Sequence, residues 1–389
     1  MTPTEEFVYR LCKETFLSLW SFPNPIGKKG KELCDVLIIC EPDIIIFSVK
    51  DINIKESNNI ETDINRWLER AIDASINQIH GAERFIKTNE RILLNDKKTE
   101  IKITKNVQWR IHRIAVAFGR GKKFPLKYGD LGRGFVHVFD EKSVYIILKE
   151  LDTIKDFVNY LNAIEAFIKA KQYPFSYGEE DILAYYLSNN FSLPQGADFV
   201  IFHDDLYEGL SNDKEYQRII SELKISYSWD NLIELLISDF NKGELLNNIS
   251  RNDLELTIRQ MAREDRNSRK ILSEQFLDFI GHKEPPKARA RLIKSLNDSN
   301  VIYLFLLGEF KDREARMQEL KIRSFIARSM FDCDTIVGLA TEKYNPKGYS
   351  LDFSYTYLPE FPDDFKVKAK EFSDELGYFK NSQKRNLKY

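Results

Sequence analysis

Two short apolar runs constrain this chain more than anything else in it. They are Glu32-Leu33-Cys34-Asp35-Val36-Leu37-Ile38-Ile39-Cys40 and Ile44-Ile45-Ile46-Phe47-Ser48-Val49-Lys50. Both are rich in β-branched residues and only Glu41-Pro42-Asp43 divides them, which predicts an antiparallel hairpin. An acid inside the first run costs free energy unless something compensates it. Lys50 repeats the anomaly at the end of the second run. Pairing the strands across a two- or four-residue turn matches Cys40 with Ile45, and hence Asp35 with Lys50; Pro42 then takes the second position of a type I turn. Opposed residues share a face, so this register gathers Asp35, Ser48 and Lys50 on one side of the sheet, and a one-residue slip would separate them. An ordinary cross-strand ion pair is the plain alternative, worth well under ~1 kcal/mol when exposed.

The elements around the hairpin set its context. Thr2-Pro3-Thr4-Glu5 reads as an N-cap, a proline at the first helical position and a glutamate three residues after the cap. That helix is expected to run to about Trp20 and to end in the breaker cluster Ser21-Phe22-Pro23-Asn24-Pro25. Gly27-Lys28-Lys29-Gly30-Lys31 leads into the hairpin. A long helix is expected over 61–87, where Ile64, Trp67, Leu68, Ala71, Ala74, Ile79, Ala82, Phe85 and Ile86 recur at helical spacing. Strands are expected at 110–118 and 134–140, and a helix at 152–171. The order α-β-β-α-β-β-α describes an α/β domain over 1–172. A boundary at 173–178 opens a helix-rich α+β domain over 173–389. It has helices between 213 and 281, a basic helical start at Lys287, Arg289, Arg291 and Lys294, strands at 301–307, 335–340 and 350–357, and a helix at 313–331.

Composition narrows the function classes. At 389 residues the chain fits two domains, and charged residues make up 30% with a net charge of −2. A globally basic nucleic-acid coat is excluded, so any such contact must come from a local patch. No apolar run approaches the ~20 residues that span a bilayer, and the N-terminus carries no signal-peptide pattern. Cys12, Cys34, Cys40 and Cys333 lack CxxC spacing, and the five histidines lack paired metal-ligand spacing. The expectation is a reduced, cytoplasmic protein without a disulfide frame or zinc knuckle.

In order and spacing, the segment 3–140 resembles the PD-(D/E)xK nuclease superfamily, in its restriction-endonuclease-like, Mrr-like branch. That family has a helix, then a hairpin carrying Asp followed by (Asp/Glu)-x-Lys, then a long helix and further strands. The match here is Asp35 and then Ser48-Val49-Lys50. The resemblance implies a mixed sheet flanked by helices and a Mg²⁺-dependent (or Mn²⁺-dependent) endonuclease, in which carboxylates hold the ion and a lysine stabilises developing charge. It implies Asp35 as principal metal ligand, the Val49 carbonyl as another, and Lys50 beside the attacking water. Ser48 departs from the usual acid. Some restriction endonucleases with Ser-x-Lys draw that carboxylate from the following helix, which here offers Asp63 or Glu61, with Glu69 further in. A helix-start acid interacting with the dipole is the alternative for Asp63. Gln78, on the small-residue stripe of the long helix, resembles the glutamine that Mrr-like members place beside the site; a satisfied core amide would look the same. Glu6 could approach the metal as first-helix acids do in some relatives, or support its own helix N-terminus.

Nucleic acid, DNA ahead of RNA, is the implied partner. Lys105, Arg110, Arg113, Arg120, Lys122, Lys123, Lys127 and Arg133 face one acid, Asp130, within 105–134. Arg120, Lys122 and Lys123 form a loop suited to phosphates, and Lys28 and Lys29 flank the site from another direction. The second domain is left with a regulatory, sensing or oligomerising role, through a second copy or an activating partner. By analogy alone, such fusions point to bacterial anti-phage defence. A catalytically inactive nuclease fold that binds nucleic acid or a protein partner is the competing expectation, because of Ser48.

Overall fold

The computed structural model describes residues 1–54, 57–119, 129–170, 173–175, 178–196, 199–245, 250–281, 289–308, 313–342 and 350–380. They form two compact units, Met1–Ser221 and Glu222–Tyr389. The chain is mixed α/β.

In the first unit α1 (Pro3–Phe16) precedes β1 (Ser21–Pro23), β2 (Val36–Cys40) and β3 (Asp43–Asp51). The long helix comes in two parts, α2 (Ile60–Trp67) and α3 (Ala74–Thr88), joined in helical conformation through a π-helical stretch at Leu68–Asp73. Next come β4 (Arg91–Leu93), β5 (Glu100–Lys102), β6 (Arg110–Phe118), β7 (Gly129–Asp130), β8 (Phe135–Phe139), α4 (Glu141–Glu150) and α5 (Ile154–Lys169). The unit closes with β9 (Tyr173–Phe175), α6 (Glu179–Ser188), β10 (Phe199–Ile201) and α7 (Leu206–Asn212), and α8 (Lys214–Leu223) leads onward. The boundary expected near 173 falls inside this unit, because β9 pairs in parallel with β10 and α6 packs on α4.

The first helix starts as its sequence dictates. Thr2 Oγ1 accepts from Glu5 N at 3.2 Å, and Thr2 N donates to Glu5 Oε2 at 2.8 Å. It stops at Phe16 rather than Trp20, because Leu17 turns to φ 68.

The sheet order is β1-β2-β3-β6-β8-β7, with β3, β6 and β8 parallel and the outer pairs antiparallel. Both faces of the hairpin are covered. Leu37, Ile39, Ile44 and Ile46 pack with Trp67, Ala71, Ile79 and Ala82 of the long helix. On the other face the Phe47 ring lies 6.4 Å from Phe16 and 6.4 Å from Phe157, centroid to centroid. Cover on both sides is why these strands read as continuous apolar runs. Gly119, after β6, has φ +81, and a Cβ there would stand 2.5 Å from the Ile52 carbonyl oxygen. A side chain at 119 would push away the chain leaving β3.

The second unit has α9 (Tyr227–Lys242), α10 (Arg251–Ala262), α11 (Arg266–Ile280), β11 (Ala290–Lys294), β12 (Val301–Gly308), α12 (Arg313–Met330), β13 (Thr335–Glu342), β14 (Leu351–Tyr357) and α13 (Asp363–Leu376). Its sheet order is β11-β12-β13-β14, parallel only between β12 and β13. Ile302, Leu304 and Leu306 meet Met317 and Leu320 of α12, while Tyr303 and Phe305 on the other face meet Trp229 and Phe276. Of the basic run expected to begin a helix, Arg291 and Lys294 lie instead in the strand β11, with Ile293 buried opposite Tyr303; Arg289 precedes the strand and Lys287 lies outside the described residues. β11 fills the edge beside β12, where arginine and lysine guard against further strand pairing. Among the described residues, no helix is long and apolar enough to cross a membrane.

Candidate active site

The hairpin forms, in a tighter register than expected. Cys40 pairs with Asp43 and Val36 with Phe47, so the connection is the two residues Glu41 and Pro42, and Pro42 takes the third position of the turn. Continued by one step, this register sets Asp35 against Ser48, and Asp35 N donates to Phe47 O at 3.2 Å. The shift from the expected pairing is two residues, an even number, so the shared face survives. Asp35, Ser48 and Lys50 lie on the side covered by α3, in line with Leu37, Ile39, Ile44 and Ile46.

Gln78 completes the cluster from α3. Its Oε1 accepts from Ser48 Oγ at 2.7 Å and from Lys50 Nζ at 2.7 Å, and its Nε2 donates to Asp35 Oδ1 at 3.5 Å. Lys50 Nζ also donates to the Val49 carbonyl at 3.2 Å and to Asp35 Oδ2 at 3.4 Å. Val49 N donates to Asp35 Oδ2 as well. Asp35 is buried while Lys50 keeps 26% of its side chain in solvent. The cluster is therefore open to solvent on the lysine side.

One more carboxylate stands here that the sequence reading did not select. Glu32 lies in a strap closed by a bridge between Ile26 and Glu32 and by Leu33 N donating to Pro25 O at 2.8 Å. Glu32 itself is exposed, and its carboxyl feels the neighbouring Asp35 carboxyl and the Asn24 side chain. Partial withdrawal from water, followed by the Asp35 contact, pushes the Glu32 carboxyl up to about 7. Glu5 of α1 adds its charge to the same effect. Glu6, the first-helix acid considered from the sequence, bears instead on Tyr9.

Asp63 and Glu61 are placed differently. The helix is continuous from α2 to α3, so at 1.5 Å per residue Asp63 lies roughly 20 Å along it from Gln78. The Asp63 carboxylate accepts from Ser57 N at 2.7 Å, which lowers its pKa, and Glu61 and Glu69 are exposed. Asp51 accepts from Thr4 Oγ1 at 2.8 Å.

The basic residues separate into kinds. Lys105 pairs with Glu90, Arg110 makes a two-pronged contact with Asp43 (2.8 and 2.6 Å), and Arg113 does the same with Glu83 (2.7 and 2.7 Å). Burial opposes the Glu83 charge, yet Arg113 and Lys87 outweigh it and hold that carboxyl at about 2. These three cations serve the fold. Arg133, Lys28, Lys29 and Lys31 are exposed, and the three lysines sit in the loop closed at its base by Glu32. Arg120, Lys122, Lys123 and Lys127 lie outside the described residues.

The oxygens fit a hard divalent cation. Mg²⁺ takes one or two carboxylates and leaves its remaining positions to water and substrate. Here the Asp35 carboxylate and the Val49 carbonyl already converge on one positive charge, the Lys50 ammonium. Among the described residues, no three His, Cys, Asp or Glu side chains form a metal-binding group, so a closed protein cage is not present. No protein-family model matches this chain, and no curated protein does.

Proposed function

We propose that this chain is a metal-dependent nuclease, an endonuclease of the PD-(D/E)xK kind carried by the unit Met1–Ser221, acting on DNA ahead of RNA. The supporting observation is the meeting of Asp35, Ser48, Lys50 and Gln78 through four side-chain hydrogen bonds on one face of the hairpin. An ordinary ion pair needs no glutamine bonded to both of its partners.

Asp35 and the Val49 carbonyl would hold Mg²⁺ or Mn²⁺. When bound, the ion supplies a polarised phosphoryl oxygen and a water of lowered pKa. Lys50 has three ammonium hydrogens and three acceptors: a short contact to Gln78 and longer ones to Val49 and Asp35. The longer two are the ones exchanged for phosphate oxygens, so Lys50 turns toward the scissile group while Gln78 keeps its Nζ in place. The Ser48 hydroxyl fixes the Gln78 amide from the other side. Lys28, Lys29 and Lys31, beside the strap, supply a local phosphate contact that the chain's net charge does not.

Cleavage of supercoiled plasmid and single-stranded DNA with Mg²⁺ or Mn²⁺ is the test. Metal-dependent cutting lost in both Asp35→Ala and Lys50→Ala supports the nuclease; cutting that survives either substitution rejects this site. Ser48, standing where the family's second acid would be, favours a second reading: a nuclease-fold subunit that binds nucleic acid without cutting it. Retained affinity without cleavage would select that reading.

A further inference from the structure

We infer that the Lys50 ammonium competes with the metal ion for the Asp35 and Val49 oxygens, and that a phosphate which draws the lysine off lets the ion in. This deepens the nuclease reading and rests on it. Lys50 Nζ stands 3.4 Å from Asp35 Oδ2 and 3.2 Å from the Val49 carbonyl oxygen. Mg²⁺ needs its oxygens at about 2.1 Å. An ion taking both oxygens from that side meets the ammonium there, and like charges so close repel strongly at a partly buried site. Charge counting points the same way. Asp35, Ser48, Lys50 and Gln78 are bonded to one another and carry one negative charge and one positive. An acid in place of Ser48 would leave that set negative with Lys50 present; the hydroxyl leaves it neutral.

Lys50 is held in this place. Gln78 Oε1 accepts from both Lys50 Nζ and Ser48 Oγ, each at 2.7 Å. Gln78 Nε2 at 3.5 Å from Asp35 Oδ1, with Val49 N on Oδ2, keeps the carboxylate turned toward the lysine. The exposed 26% of its side chain gives Lys50 a way out to an anion in solvent. With the ammonium on a phosphate, the Asp35 charge is no longer cancelled. By linkage the reverse holds by the same factor, and a lysine displaced from Asp35 binds phosphate more tightly.

The experiment is Mn²⁺ binding to the full chain by calorimetry, for wild type, Lys50→Met, Lys50→Ala, Asp35→Asn and the double variant Asp35→Asn/Lys50→Met, each checked for native circular dichroism. Methionine keeps most of the lysine stem without its charge, and alanine stands in should methionine misfold. Without nucleic acid, both Lys50 variants should bind Mn²⁺ at least about tenfold more tightly than wild type. Both variants lacking the Asp35 carboxylate should not bind. A short phosphorothioate duplex, corrected for the duplex alone, should tighten Mn²⁺ binding in wild type by a larger factor than in Lys50→Met; equal factors overturn the release of Lys50 by phosphate. A lysine that only props the fold would leave Mn²⁺ affinity unchanged or lower when removed. That result, with Asp35→Asn still defective, overturns the competition and leaves the nuclease reading standing. No Mn²⁺ binding by wild type and by the folded Lys50 variants, or undiminished binding in Asp35→Asn, overturns both.

Discussion

Each unit buries charge at the ends of its strands, and the two do it in opposite ways. In the second unit the Arg316 guanidinium, 1% exposed, donates to Glu342, Asp352 and Ser350. Asp352 also takes Arg313, and Glu342 also takes the Ser350 amide and hydroxyl. Every strong donor there meets an acceptor inside the protein. Around Asp35 the side-chain donors stand at 3.4 and 3.5 Å, and Lys50 reaches solvent. A closed set has nothing left to offer a ligand. An open one has acceptor capacity to spare, since an ionised carboxylate carries about four lone-pair sites. Burial of charge alone would have marked both places as functional; satisfaction separates them.

The largest expected effect breaks the closed set. Arg316→Met strands two buried acids and should cost about 3–5 kcal/mol in urea unfolding of the full chain. A loss under about 1 kcal/mol would mean that the set is not closed and that water reaches it. At the open set the order reverses, with function lost and stability kept. Lys50→Ala should slow cleavage by about 10²–10³-fold while changing unfolding free energy by less than about 1 kcal/mol; a large stability loss there would make Lys50 a structural residue. Gln78→Ala tests positioning, with an expected loss of about 10–100-fold. Unaltered cleavage would leave Gln78 as a core amide.

The smallest effect is spread over pH and separates two further acids. Glu83 is depressed to about 2 in the folded chain, burial opposing and Arg113 and Lys87 prevailing. Its stabilisation is therefore present above the unfolded value near 4.5 and is lost as pH falls toward 2. Glu179 has the opposite sign: burial, with Glu180 and Asp140 nearby, raises it to about 7 despite the Tyr160 hydrogen bond. The folded chain keeps that proton, so stability declines as pH rises from about 4.5 to 7. Each slope is at most about 1.4 kcal/mol per pH unit. Unfolding midpoints should lose the first slope in Glu83→Gln and the second in Glu179→Gln, and a slope that persists in its own variant assigns it to another group.

What could be read in advance follows from which signals are local. Arg110–Phe118 matches its strand to the residue, because its second half, Ile114–Phe118, is an unbroken apolar run of the kind a strand covered on both faces requires. The hairpin was legible for the same reason. Its register was not, since nothing in Glu41-Pro42-Asp43 distinguishes a two-residue from a four-residue connection; the even shift preserved the cluster. The first strand begins at Val36 rather than at residue 32, because the residues before it belong to a strap bridged between Ile26 and Glu32, a non-local contact that their own composition does not announce. Ala290–Lys294 was misread because its role is set by the edge of β12, a non-local partner invisible in its own composition.

The π-helical stretch at Leu68–Asp73 gives the long helix one residue of slack. Such a stretch amounts to one extra residue wound into a turn, which the widened turn absorbs. Deleting a single codon there would restore ordinary winding and leave both halves facing much as they do, whereas the same deletion in α3 before Gln78 would rotate everything upstream by about 100° about the axis. The stretch works as an expansion joint, where the helix can change length by one residue without disturbing the amide that touches Lys50.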